Sequence, residues 1–173
     1  MRDNGRYRKD LLENNTGKST THIMKLDRVF LDESILFSIA QAENGLSQLW
    51  ELVNKGQCLL LTSQYVIEKA KRNLRCSDHL RKLEKRLPII DVVLEADSRM
   101  RCPVELPKKI RAVLMAAISA KADYFLTGDT ENYGKYRGQT IMGVKILTAR
   151  DYLQKEKTGT EGRSIQWKET AIQ

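Results

Sequence analysis

Three acidic side chains stand out by where they fall relative to short apolar runs. Asp32 directly follows Arg28–Leu31 (RVFL), and Asp129 follows Tyr124–Leu126 (YFL) after a tight Thr127-Gly128 pair. Glu68 lies in the first two turns of a helix predicted after Cys58–Leu61 (CLLL). If the three runs are parallel strands of one sheet, all three acids gather at its carboxyl edge, where open α/β sheets bind ligands. Glu131 and Asn132 add oxygen atoms to the same rim. Clustered carboxylates repel and raise one another's pKa, and a hard divalent cation, Mg2+ or Mn2+, relieves the repulsion. The reaction such ions support on nucleic acids is phosphodiester hydrolysis. Taken singly, each acid also has a structural use: Asp32 as a helix cap, Glu68 as an exposed helix charge, Asp129 as a turn residue beside Gly128.

The elements that must position these acids alternate along the chain. Helical segments at Ser34–Gln41 and Leu46–Lys55 separate RVFL from CLLL. Thr62 or Ser63 caps the next helix, which runs to about Leu74, and Asp78–Leu87 forms another. A short strand at Pro88–Val92, a helix at Glu95–Arg101 and a helix at Lys109–Lys121 lead to YFL. Val144–Leu147 (VKIL) is the last strand, and Thr148 with Asp151 opens a final helix as a capping box. Alternating strands and helices with no hairpin signal predict an α/β/α sandwich around a parallel sheet of about five strands. Residues 1–25 read as a flexible polar, basic extension, 26–153 as the domain and 154–173, with the lone Trp167, as a polar tail.

The 173 residues are enough for one domain. The longest apolar stretch, Ala112–Ala120, is about half of a membrane span. The first 25 residues hold no apolar core of the signal-peptide kind. Cys58, Cys76 and Cys102 are odd in number and form no CxxC pair, which argues against a disulfide framework and for a reducing cytoplasm. Cys76 and His79 have ligand-like spacing but no second pair to complete a zinc site. Asn15–Thr20 (NTGKST) imitates the end of a phosphate loop, yet the first glycine would fall at Leu12. The net charge is +8, and residues 69–86 carry eight basic side chains against Asp78 and Glu84. Such clustering attracts a polyanion, although a charge run alone is more often a solvated helix face.

The segments VFLDESILFS, LTSQYVIEKAKRNL and AVLMAAISAKADYFLTGDTENYG, followed by GVKILTARDYL, resemble the PIN domain family, in particular bacterial single-domain members related to VapC-type toxins. The resemblance spans residues 26–153, and ADYFLTGD is its most specific piece. It implies a metal-dependent endoribonuclease that holds Mg2+ or Mn2+ through about four acids. By position, Asp32, Glu68 and Asp129 match acids of the family as catalytic and metal-binding residues, and Glu131 or Asn132 falls where members carry another acid or polar group. Ser34, Thr127 and Asn132 are supporting residues. Lys69, Arg72, Arg75, Lys135 and Arg137 would hold RNA, with Tyr133 or Tyr136 as stacking candidates or as packing beneath the loop. The resemblance further implies a homodimer and, for toxin members, an antitoxin protein as partner.

Two positions depart from the family pattern. Ile110 stands where related sequences place an aspartate, and Ser34 where asparagine is usual. Isoleucine cannot ligate a metal, so a second reading stays open: a PIN-fold RNA-binding or regulatory protein without turnover. Outside the family, a haloacid-dehalogenase-type phosphatase needs Asp-x-Asp after the first strand, where this chain has Asp32-Glu33-Ser34. A receiver domain needs its accepting aspartate after the third strand, and Asp91 lies within that strand.

Overall fold

The structure is a computed structural model, and it describes residues 26–41 and 46–156. The two terminal extensions, with NTGKST and Trp167, lie outside the described residues. Among the described residues six strands form one sheet in the order β3-β2-β1-β4-β6-β5. They are β1 (Asp27–Leu31), β2 (Cys58–Ser63), β3 (Asp91–Val93), β4 (Tyr124–Leu126), β5 (Thr140–Ile141) and β6 (Val144–Leu147). Helices α1 (Glu33–Gln41), α2 (Ser47–Asn54), α3 (Gln64–Asn73), α4 (Ser77–Arg86), α5 (Lys108–Ser119), α6 (Thr130–Tyr133) and α7 (149–156) connect them. In β1 the successive residues Val29, Phe30 and Leu31 are all fully buried. Adjacent strand residues point to opposite faces, so this central strand is covered on both sides, as a parallel α/β sheet requires.

The strand order reverses beside β1. From β1 the chain adds β2 and then β3 on one side, and β4 and β6 follow on the other. The crevice at the carboxyl ends of β1 and β4 is therefore the topological switch point, where ligands bind in open α/β sheets. Beneath it Phe30 stacks on Phe125 with ring centroids 5.8 Å apart, and Tyr133 packs on Phe125 at 4.9 Å. At the opposite edge, the Tyr152 hydroxyl donates to Asp27 Oδ2 (3.3 Å), which holds α7 against the start of β1.

Two helices close alike with different residues. In α2 the N–H of Gln57 donates to Leu52 O and that of Gly56 to Val53 O, with Gly56 at φ 65°. In α5 the N–H of Ala122 donates to Ala117 O and that of Lys121 to Ile118 O, with Lys121 at φ 52°. Both are Schellman closures, and only the first uses the glycine that the left-handed conformation favours.

Three sequence expectations need correction. The sheet has six strands, because β5 pairs antiparallel with β6 through a two-residue turn of Met142 and Gly143, both at positive φ. Met-Gly lacks the Asn or Asp that advertises such a turn. The strand expected at Pro88–Val92 is a single 3-10 turn at Leu87–Ile89 followed by β3. Residues 95–101 are not helical: Asp97 accepts the N–H of Arg99, and the Glu95 carboxylate accepts the N–H of Tyr65 (2.8 Å) at the first turn of α3. Among the described residues no helix is long and apolar enough to cross a membrane, and the three cysteines are free.

Candidate functional site

Asp32 leaves β1 with its backbone N–H donating to Leu126 O of β4 (3.1 Å), so the exits of the two strands are joined at the switch point. The residue is 6% exposed. Oδ2 accepts the Thr127 hydroxyl at 2.7 Å and the Ser34 hydroxyl at 3.3 Å. Each hydroxyl also accepts from β4's exit loop: Thr127 Oγ1 from the Asp129 N–H (3.0 Å) and Ser34 Oγ from the Gly128 N–H (2.8 Å). Two hydroxyl bridges thus fix Asp32 relative to the loop that carries Asp129. Burial pushes the Asp32 carboxyl above the usual aspartate range, against the Thr127 bond, the Glu33 backbone N–H and the Lys69 charge.

Asp129 caps α6. Its Oδ1 accepts the Asn132 backbone N–H (3.0 Å) and its Oδ2 the Asn132 side-chain amide (2.7 Å). Both carboxylates line one cavity of about 340 Å³, together with Glu33, Ser34, Phe37, Lys69, Asn73 and Ile110. Glu33 is ion-paired with the Lys69 ammonium and accepts the Asn73 amide. Burial acts to lower the Lys69 pKa, but the Glu33 hydrogen bond and charge, with the field of Asp32, carry it above the ordinary lysine value. The site therefore contains its own fixed cation.

The expected residues separate into those the cavity gathers and those it does not. Asp32, Asp129 and Ser34 line it, with Thr127 and Asn132 hydrogen-bonded to the two aspartates. Glu68 is exposed and accepts the Gln64 amide (3.1 Å); the residues of α3 that line the cavity are Lys69 and Asn73, one turn apart. Glu131 is exposed and does not line the cavity. Of the residues expected to hold RNA, Lys69 pairs with Glu33 and Arg137 with Asp151, the latter through two bonds of 2.8 and 2.7 Å. Lys135 lies over the Tyr136 ring, while Arg72 and Arg75 are exposed. Tyr133 is 2% exposed and donates to Ile110 O (3.0 Å), and Tyr136 donates to Glu105 O (3.1 Å). Both tyrosines tie the entry of α5 to the loop after β4, which is the packing alternative to stacking on a base.

Glu33, Phe37 and Asn73 are cavity residues that the spacing of acids does not reveal. The apolar arc of α3 carried the missing signal. Val66, Ile67, Ala70 and Leu74 are buried, and at about 100° per residue Asn73 and Lys69 flank that arc while Glu68 lies nearly opposite it.

A divalent cation needs several oxygen donors converging on one point. Among the described residues no group of three or more His, Cys, Asp or Glu side chains forms such a set. Glu33 is taken by Lys69, and Ile110 offers no donor. The residues present do not fit the Mg2+ or Mn2+ centre expected from the sequence.

No family model matches the sequence, and no curated protein matches it significantly. Among solved structures, a chain from the crystal structure of VapBC2 from Rickettsia felis bound to a DNA fragment from their promoter is similar in fold. It is 11% identical, with a TM-score of 0.50, and the match covers 70% of this chain and 98% of that one. The α/β architecture of this chain is thus shared with a chain of that VapBC2 structure.

Proposed function

We propose that this chain is a PIN-type RNA-binding protein that holds single-stranded RNA beside the switch-point cavity without metal-dependent turnover. The observation that carries the reading is the Lys69–Glu33 pair inside the acidic cavity, with Ile110 on the wall. The ammonium supplies the countercharge that a metal supplies elsewhere, and it cannot generate hydroxide or stabilise a leaving oxygen as a metal does. The exposed Arg72 and Arg75 at the end of α3 offer the phosphate contacts. The likeness to a chain of the VapBC2 complex supports a toxin–antitoxin-type setting, with a second copy and a small antitoxin as partners.

A second reading, a weak endoribonuclease, is favoured by one observation: Asp32 and Asp129 do share the cavity. Labelled single-stranded RNA incubated with the protein in Mn2+, in Mg2+ and in EDTA separates the two. The expected result is binding that survives EDTA, no cleavage in any arm, and loss of binding when Arg72 and Arg75 are both changed to glutamate. Cleavage that requires metal and disappears in Asp129→Asn would overturn the binding reading in favour of the nuclease.

A further inference from the structure

Once its internal bonds are counted, the cavity has little use for another ion. Glu33 is held by Lys69 and Asn73, Asp32 by Thr127 and Ser34, and Asp129 by the two amide groups of Asn132. A phosphate entering it would meet three carboxylates and one already paired ammonium. The larger share of what remains open is apolar. Phe37, one turn along α1 from Glu33, and Ile110, at the start of α5, are both only partly buried and both line the cavity. Ile110 is fixed there by the Tyr133 hydroxyl, which donates to its carbonyl (3.0 Å).

From this geometry we infer that the cavity is a pocket for one unpaired nucleobase, stacked on the Phe37 ring and bounded by Ile110. This deepens the RNA-binding reading and rests on it. A base is flat and uncharged, so it can enter where a phosphate is repelled. Every aromatic ring offers a face on which a base stacks, largely regardless of its identity. The carboxylate oxygens of Asp129 and Asp32 keep lone pairs beyond the bonds they already accept, and these suit the N–H donors on a base's pairing edge. The volume of about 340 Å³ lies in the range of small-molecule sites, roughly 300–1,000 Å³. The chain direction follows from α3: Asn73 and Lys69 face the cavity, and Arg72, next on the helix surface, is exposed outside it. The base would lie inside with its flanking phosphates along Arg72 and Arg75. In this reading Ile110 is a wall of the pocket, and an aspartate there would close it to a base by adding a fourth carboxylate.

The test uses the full chain and two kinds of probe. Saturation-transfer NMR with adenosine, guanosine and ribose 5-phosphate asks whether the cavity takes a base or a phosphate. The nucleosides are expected to give a signal and ribose 5-phosphate none. The signal should vanish in Phe37→Ala and persist in Phe37→Trp, which keeps a ring. In parallel, fluorescence anisotropy with a labelled single-stranded RNA should show affinity falling about tenfold in Phe37→Ala, the loss of one stacked base. Ile110→Asp, which leaves Phe37 in place, should weaken RNA to a similar degree and guards against a folding defect in the first variant. RNA affinity unchanged in both folded variants would overturn the pocket and leave the RNA-binding reading standing. A wild-type protein that binds no RNA would overturn that reading and the pocket with it.

Discussion

Replacing Thr127 by valine tests whether the hydroxyl bridges hold the two sides of the site together. The substitution keeps the shape of the side chain and removes one oxygen that serves two partners. Thr127 Oγ1 donates to Asp32 Oδ2 at 2.7 Å and accepts from the Asp129 N–H at 3.0 Å. A hydrogen bond to a charged group contributes about 1.5–3 kcal/mol, and an orphaned, partly buried N–H costs about 1 kcal/mol more. Thr127→Val should therefore destabilise by about 2–4 kcal/mol. Thr127→Ser keeps the oxygen and loses one methyl, a cost of about 1 kcal/mol. Urea unfolding followed by circular dichroism reads the difference: with a slope of about 2 kcal/mol/M, the valine midpoint should fall by about 1–2 M at constant slope. The cost should also depend on pH. The hydroxyl favours the charged carboxylate, so its loss raises the Asp32 pKa further, and the penalty shrinks on acidification as that group becomes neutral in both proteins. A loss below about 0.5 kcal/mol, or equal losses for valine and serine, would refute the bridging role.

Two further outcomes follow from individual residues. Lys121 closes α5 at φ 52°, so Lys121→Gly should stabilise by about 0.5–1 kcal/mol, raising Tm by roughly 1–4 °C in differential scanning calorimetry; an unchanged or lower Tm would contradict the strain assigned to that position. Burial raises the Asp32 pKa, so the folded state binds more protons than the unfolded chain between the usual aspartate value and the raised one, and stability falls as pH rises through that window. Asp32→Asn should raise Tm near neutral pH and remove that fall, as thermal melts across the pH range will show.

Much of the fold was legible because its central strands are buried on both faces. RVFL, CLLL and YFL carry short continuous apolar runs, VKIL is apolar except for the exposed Lys145, and each forms the strand read from it. The misses have local causes. The β5–β6 hairpin turns on Met142-Gly143, whose conformation is set by its place in the sheet rather than by an Asn or Asp. The stretch at 95–101 contains good helix formers, but the Glu95 carboxylate is used at the N-terminus of α3. At the site, Asp32 and Asp129 were readable because a residue just after a strand has nowhere to go but the sheet edge. Glu68 was not, since a helix turns about 100° per residue and sequence distance from a strand does not fix which side chain faces inward. The inward position falls to Lys69, whose ammonium pairs with Glu33.

The most direct measurement of that balance is thermal unfolding with and without Mn2+, for the wild-type chain and for the double variant Lys69→Glu with Ile110→Asp. Lys69 is expected to leave no demand for a divalent ion, so the wild-type Tm should not move as Mn2+ is raised. The double variant replaces the cation and the apolar wall by carboxylates beside Asp32 and Asp129. It should gain about 2.7 kcal/mol at a Mn2+ concentration 100 times the Kd, or roughly 5–10 °C. A saturable rise in the wild-type Tm that Asp129→Asn abolishes would contradict the claim that the cavity supplies its own cation.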